Sequence, residues 1–263
     1  MTKIITHDGL FHADEITACA LWQVFIGEIS IQRVSHEFKD FSKADIVLDI
    51  GCKYDGVKFF DHHQNKGGKA SSGLIWDYII STTDDMLHYS NISRMIKMID
   101  ANDVGEKRSE EFEIPRIISN YNHPDIYGEE QDKQFLEAVE VMSTILLSMK
   151  RSVENIIKAR TIVNESTFFH GNPEVIKLKE FTPLWAKIIN GSNEKYKTVE
   201  AVVWYDEAQR KWKTKTTALV PGSFKNVGKS FLPNDNMDFV HSAGFFAVCR
   251  TEEQMKSFFG ITS

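Results

Sequence analysis

Cysteine is scarce in this chain. Cys19, Cys52 and Cys249 are the only three in 263 residues, and none forms a Cys-x-x-Cys pair. That excludes a disulfide framework and a thiolate zinc knuckle, and it points to a reducing, cytoplasmic compartment. Long apolar runs are missing: none approaches the roughly 18 residues needed to span a bilayer, so no membrane partner is expected. The strand-like start, Met1-Thr2-Lys3-Ile4-Ile5, leaves no room for a secretory or organelle leader. A basic excess is absent too. The formal net charge of −6 argues against bulk coating of nucleic acid, although a locally basic groove is compatible with it. Internal repeats and low-complexity tracts are also lacking. What remains is 42% hydrophobic and 26% charged residues, an ordinary globular composition with enough chain for two domains.

The first hundred residues alternate between short apolar runs and helical patterns. Residues 3–6, 29–34, 46–48 and 57–60 read as strands. Between the first two, Ile16, Cys19, Ala20 and Val24 repeat at helical spacing, and residues 73–80 and 91–99 give two more helices. This alternation predicts an α/β fold, a parallel sheet with helices on its faces, and ligands at the carboxyl ends of the strands. Residues 106–128, with Pro115 and Pro124, read as an irregular surface segment. Residues 131–163 contain no glycine or proline. Phe135, Val139, Met142, Leu146, Met149, Val153 and Ile157 mark an apolar stripe along them. They form either one helix about 45 Å long or two consecutive helices with a bend. Beyond Gly171-Asn172-Pro173 the pattern changes to strands at 175–178, 198–205 and 211–220, the last two joined by a turn at 206–209. The expected organisation is a metal-binding domain at 1–128, a connecting helix at 129–165 and a smaller α+β substrate-binding domain at 166–263.

The polar residues at the strand ends carry the chemistry. Asp61-His62-His63 directly follows the fourth strand, His7 the first and Asp49 the third. His12, Asp14, Asp100 and Asp103 fall at the ends of predicted elements. Hydrolysis of a phosphate ester needs a water made nucleophilic near neutral pH and relief of charge on the phosphoryl oxygens. Two divalent ions about 3.5–4 Å apart supply both. His7, His12 and Asp14 would hold one ion, Asp49 would bridge, and His62 with Asp100 or Asp103 would complete the second. A mixed His/Asp set suits manganese and tolerates zinc, iron or cobalt. Each residue alone has an ordinary alternative: a capping or surface histidine for His7 and His12, an N-cap for Asp14, a turn for Asp49. Their convergence on one sheet edge favours the joint reading.

These same segments carry a family resemblance. Thr6-His7-Asp8-Gly9-Leu10-Phe11-His12-Ala13-Asp14-Glu15, Asp45-Ile46-Val47-Leu48-Asp49-Ile50-Gly51, Phe60-Asp61-His62-His63-Gln64 and Ile99-Asp100-Ala101-Asn102-Asp103 resemble the melanocyte-proliferating-gene family, a branch of the DHH phosphoesterase superfamily. Weaker but correctly ordered are Phe181-Thr182-Pro183-Leu184-Trp185, Ala218-Leu219-Val220-Pro221, Ser223-Phe224 and Phe239-Val240-His241-Ser242-Ala243-Gly244-Phe245. The resemblance implies a DHH-type catalytic domain with metal-dependent 3′–5′ exoribonuclease activity on short RNA. It implies His62 as metal ligand, His63 facing the substrate phosphate, and Asp61 supporting the pair. Substrate contacts are expected from His241 and Gly244, and from Arg116 within a segment where the family is arginine-rich. Asp103-Val104-Gly105 replaces the family's Asp-Asn-Gly, and residues 246–250 replace its glycine-rich run. Two other classes remain open: a hydrolase of a small phosphoanhydride or polyphosphate, and a non-catalytic, metal-stabilised nucleic-acid-binding module. A homodimer is the assembly considered.

Two features are ambiguous. Gly67-Gly68-Lys69-Ala70-Ser71-Ser72, ahead of a predicted helix, reads either as a phosphate-binding helix start or as a loop. Lys211, Lys213 and Lys215 share one strand face, read as solvent-side charge rather than a phosphate track.

Overall fold

The computed structural model describes residues 1–64, 68–83, 86–123, 125–190, 196–217, 237–242 and 244–261. The chain divides into two compact units, Met1–Val153 and Glu154–Ser263.

In the first unit, β1 (Thr2–His7), α1 (Ala13–Phe25), β2 (Ile29–Val34), β3 (Ile46–Leu48) and β4 (Phe59–Phe60) build a four-stranded sheet in the order β2-β1-β3-β4. Every pairing in it is parallel. The α/β expectation therefore holds, and the strands at 29–34 and 46–48 fall where the apolar runs predict. The central strands are apolar on both faces: Ile4, Ile5, Val47 and Leu48 are all buried, as a sheet covered on both sides requires. The strand read at 57–60 shortens to Phe59–Phe60 for a local reason. The Asp55 carboxylate accepts hydrogen bonds from the backbone amides of Val57, Lys58 and Phe59 at 2.8–3.1 Å. Those amides are then committed to a turn.

Helices α2 (Ser71–Thr82) and α3 (Ser90–Asp103) begin and end slightly outside the predicted spans. The segment read as irregular contains a further helix, α4 (Ile114–Ser119), with Pro115 in its first turn. Proline is a helix-starter there, because its missing N–H would have no partner in any case. Then α5 (Glu129–Asn164) runs as one helix of 36 residues, not two. Phe135, Val139, Met142, Leu146 and Val153 are buried along its predicted stripe. No helix among the described residues is long and apolar enough to cross a membrane.

The second unit contains β5 (Thr167–Phe168), β6 (Val175–Lys177), α6 (Trp185–Asn190), β7 (Ala201–Asp206), β8 (Lys211–Thr216), β9 (Phe239–Val240), β10 (Phe246–Cys249) and α7 (Glu252–Phe258). Its sheet runs β5-β6-β7-β8-β10-β9, mixed in direction. Alternation along β7 serves two cores: Val202 and Trp204 pack with Ile176, Leu178 and Trp185, whereas Ala201 and Val203 pack with Phe169, Val175 and Met255. On β8, Trp212, Thr214 and Thr216 are buried and the three lysines lie on the other face. Lys211 and Lys213 are engaged by Asp238 and Asp206. The strand predicted to reach residue 220 is described to Thr216. Residues 218–221, 223, 224 and 243 of the resembling segments, together with Pro124 and Gly67, lie outside the described residues.

Candidate metal centre

The parallel sheet delivers its functional side chains at one edge. His7 is the last residue of β1, Asp49 follows β3 directly and Asp61 follows β4 directly. Helix α1 starts against the same edge, with His12 as its N-cap and Asp14 and Glu15 in its first turn, where the helix dipole favours negative charge. Glu15 Oε1 accepts the His12 amide at 2.8 Å, closing the start of the helix.

Short contacts tie these groups together. His7 Nε2 lies 3.2 Å from Glu15 Oε1 and 3.3 Å from Asp49 Oδ2. His62 Nε2 lies 3.3 Å from Asp49 Oδ1 and 3.0 Å from Asp103 Oδ2. Asp49 thus turns one oxygen to each histidine. Its φ of +52° is a left-handed conformation that aspartate tolerates better than most residues. Asp61 is buried, and its Oδ1 accepts both the backbone amide of His63 at 2.9 Å and its Nδ1–H at 2.8 Å. Its Oδ2 accepts the Cys52 amide at 2.7 Å. The carboxylate therefore fixes the His63 ring and leaves Nε2 unused by that contact, on a side chain that is 54% exposed.

Charge in this cluster is poorly compensated by protein groups. Both carboxylate oxygens of Asp14 and Oε2 of Glu15 are buried without a hydrogen-bond partner among the described residues. Burial, with Asp49, Glu15 and Asp103 close by, pushes the Asp14 carboxyl well above its ordinary range. At His7, burial acts downward, but Asp49 and Glu15 outweigh it and raise the imidazole to about 10. Asp103 and Asp49 raise His62 to about 10. At Asp49, burial acts upward and is overcome by His62 and His7, which hold the carboxylate below its ordinary range. An anionic, partly unpartnered interior of this kind fits a cation. Four overlapping groups could hold metal: His7/His12/Glu15, Asp14/Glu15/Asp49, His12/Asp14/Asp103 and Asp49/His62/His63. In each, the donor atoms lie within 4.8 Å of one another.

The predicted residues separate as follows. His7, His12, Asp14, Asp49, His62, His63 and Asp103 come together. Asp100, the alternative to Asp103, is used elsewhere: its Oδ1 accepts from Ser72 Oγ at 2.9 Å and from the Gly73 amide at 3.0 Å, at the start of α2. Arg116, on α4, lines a cavity of about 320 Å³ shared with His12, Asp14 and Asp103. His241 and Gly244 belong to the second unit, in the turn between β9 and β10. There the His241 amide donates to Phe246 O at 2.9 Å, and Gly244 has φ +69°. Two participants were not anticipated. Glu15 could have been found, since an acidic residue three after an N-cap is a helix-start signature. His36, whose ring stacks on His7 at 5.0 Å, carries no such signal. Ser71, from the segment read as either a phosphate-binding helix start or a loop, begins α2 and donates through Oγ to Asp49 Oδ1 at 3.3 Å.

Structural support for the cluster comes from behind the sheet edge. Arg33, almost wholly buried, donates through Nη2 to Gly9 O at 2.6 Å and through Nε to His7 O at 3.2 Å, and it pairs with Asp132. Asn122 grips the Phe11 backbone with both ends of its amide, accepting from Phe11 N at 3.0 Å and donating to Phe11 O at 2.7 Å. The turn between β1 and α1 is thereby held at both sides.

Buried carboxylates and imidazoles at the carboxyl edge of a parallel sheet define an α/β protein with a site competent to bind metal. The MYG1 exonuclease family model, described as an uncharacterised protein family (UPF0160), matches residues 3–235, and the chain belongs to that family. Among its relatives, the MYG1 protein of Saccharomyces cerevisiae is 26% identical, with 95% of this chain and 92% of that one aligned. The MYG1 protein of Chlamydia trachomatis is 34% identical over 55% of this chain and 53% of its own. The human MYG1 exonuclease is 24% identical over 95% and 83%. A solved pGpG-specific phosphodiesterase aligns at 11% identity and a TM-score of 0.33, covering 100% of this chain and 99% of its own. A likeness at that level carries no argument.

Proposed function

We propose that this chain is a metal-dependent phosphohydrolase of the DHH type that cleaves phosphodiester bonds of short RNA or oligonucleotides from the 3′ end, in the cytoplasm, with two manganese ions. The observation that carries the reading is Asp14. Both of its oxygens are buried without a hydrogen-bond partner among the described residues, beside Glu15 and Asp49, in a cluster completed by imidazoles. His7, His12, Asp14 and Asp49 would hold one ion, and Asp49, His62 and Asp103 the other. The split of the Asp49 oxygens between His7 and His62 supports its role as the bridge. Bound there, the pair supplies an acidified water and positive charge against the phosphoryl oxygens.

The protein's own share is positioning. His63, with Nδ1 fixed by Asp61, offers its Nε2 to a phosphoryl oxygen. Arg116 offers a guanidinium in the cavity beside Asp14 and Asp103. That relatives from human and cattle carry the name exonuclease supports the same reading. A small phosphoanhydride would be served by a closed, basic pocket without room for a base. The two cavities flanking the cluster, of about 320 and 400 Å³, instead favour a larger ester.

The test is manganese-dependent hydrolysis of a dinucleotide, a longer RNA and pyrophosphate by the full chain and by Asp49→Asn. Cleavage of the RNA substrates, lost in Asp49→Asn while RNA binding persists, is the expected result. Turnover undiminished by Asp49→Asn, or inactivity on all three, would overturn the proposal.

A further inference from the structure

The second cavity lies on the Asp49 and His63 side of the cluster, and its other lining residues have no part in the chemistry proposed above. Its volume of about 400 Å³ lies within the ~300–1,000 Å³ of small-ligand pockets. Phe38 and Phe41 contribute aromatic rings to its lining, and Asp49, Asp61 and His63 of the cluster line it too. His36 and Lys39 add polar groups to the lining. Both phenylalanines are half-buried, and they pack against the small core of Ile5, Val34, Val47 and Ile50.

The two rings are held in place. The Phe38 and Phe41 rings meet edge to face at 5.4 Å, and Phe41 meets Phe59 in the same way at 5.8 Å. Lys58 Nζ donates to Phe41 O at 2.8 Å, and the Asp40 side chain accepts the Ser42 amide at 3.1 Å. Beside the Phe41 ring lies the loop after β3, where a Cβ on Gly51 would meet Phe41 Cε2 at 3.6 Å and where Asp49, Gly51 and Cys52 all have positive φ (52°, 98° and 50°). Left-handed backbone at an aspartate and a cysteine is strained and persists where the surroundings fix it. Here the Cys52 amide is fixed on Asp61, the residue that orients His63. The strained loop thus lines the cavity and carries the bridging Asp49.

We infer that this cavity is a nucleobase subsite, in which Phe38 and Phe41 receive the base of the nucleotide whose phosphate lies at the His63 end. A flat, weakly polar group one sugar away from an anionic phosphate matches a pocket lined both by aromatic rings and by part of the carboxylate–imidazole cluster. Base–aromatic stacking accepts any base, so the subsite selects nucleotides over base-free phosphates without selecting sequence. The inference rests on the phosphodiesterase reading only for its direction along the substrate.

Binding and turnover separate the two. Calorimetry compares 5′-AMP with ribose 5-phosphate on the full chain, for wild type, Phe38→Leu and Phe41→Leu. Leucine keeps the apolar packing and removes the ring, and thermal melts confirm folding. We expect wild type to bind 5′-AMP about tenfold or more tightly than ribose 5-phosphate, and at least one variant to lose that margin. Equal binding of the two ligands by wild type, or a margin unchanged in both folded variants, would overturn the subsite. In the hydrolysis assay, the variant that loses the margin should raise KM for a dinucleotide about tenfold with kcat unchanged, and leave an abasic analogue unaffected. Absence of hydrolysis with the AMP margin intact would refute the enzyme reading and leave the subsite standing.

Discussion

Replacing Gly73 with alanine should weaken the first unit through one contact. Helix α2 has Ala70 as its N-cap, a residue without a side-chain oxygen. Asp100 of α3 supplies that oxygen from outside the helix, accepting the amide of Gly73, the third residue of α2, and the hydroxyl of Ser72. A Cβ built on Gly73 would lie 2.1 Å from Asp100 Oδ2, 2.8 Å from Cγ and 2.9 Å from Oδ1. The Asp100 carboxylate must therefore shift, and its bonds to Gly73 and Ser72 are disturbed with it. A lost cap costs about 0.5–2 kcal/mol. A buried charge deprived of its hydrogen bonds adds about 1.5–3 kcal/mol. Alanine's better helix propensity returns up to ~1 kcal/mol. The net is a destabilisation of about 1–5 kcal/mol, or on the order of 10 °C in Tm. The double-mutant cycle is the decisive assay. With Asp100→Ala already present, the obstruction is gone and Gly73→Ala should be neutral or slightly stabilising. Urea unfolding of the four proteins measures the coupling. A coupling within ~0.5 kcal/mol of zero, the ordinary additivity error, would refute the reasoning. Because Ser71 of the same helix start donates to Asp49, Gly73→Ala should also weaken manganese binding severalfold, read from the manganese-induced shift in Tm.

Two further outcomes follow from buried carboxylates. Asp14→Asn removes an acid whose oxygens have no protein partner among the described residues and whose neighbours are anionic. In EDTA its Tm should match or exceed that of wild type, while the stabilisation on adding manganese shrinks by about 1.4 kcal/mol per tenfold loss of affinity. An undiminished stabilisation would remove Asp14 from the metal set. Asp100 supplies a pH dependence. Burial raises its carboxyl to about 6, against the opposing bonds from Ser72 and Gly73 and the charge of Lys69. A folded-state pKa above the unfolded one contributes stability that is complete below about 4 and is lost as pH rises through 6. Asp100→Asn does not titrate, so its stability relative to wild type should increase by about 2.4 kcal/mol between pH 4 and pH 7. Parallel urea-unfolding profiles in EDTA would contradict this.

How much of this was legible in the sequence depends on the range of each interaction. The parallel sheet was readable because Ile4, Ile5, Val47 and Leu48 sit in short apolar runs buried on both faces. Helix α5 was readable because its stripe keeps helical period without a break. Short-range competition hid other elements: the Asp55 turn took amides that β4 would have used, and Pro115, within the segment read as irregular, lies in the first turn of α4. The choice between Asp100 and Asp103 was out of reach for a geometric reason. Three residues apart on a helix, they project only about 60° apart around its axis at ~100° per residue. What separates them is the uncapped start of α2 on one side and the His62 imidazole on the other, both tertiary facts. His36 is a similar case, placed against His7 by packing alone.

The candidate centre draws each component from a different element: His7 from β1, Asp14 from α1, Asp49 from the end of β3, His62 from the loop after β4 and Asp103 from α3. In an extended chain these residues cannot converge, so an ion that binds all of them binds the folded state alone. Folding without the ion must bring Asp14, Glu15 and Asp49 within 4.8 Å of one another. The raised His7 and His62 are how the metal-free fold tolerates this, since each then carries a proton that opposes the carboxylates. A cation does the same with more charge in less space. The anchors that touch no candidate donor side chain, Arg33 on the His7 and Gly9 carbonyls and Asn122 on Phe11, therefore have a definite task. They hold the β1–α1 turn closed against the repulsion of the acids it brings together.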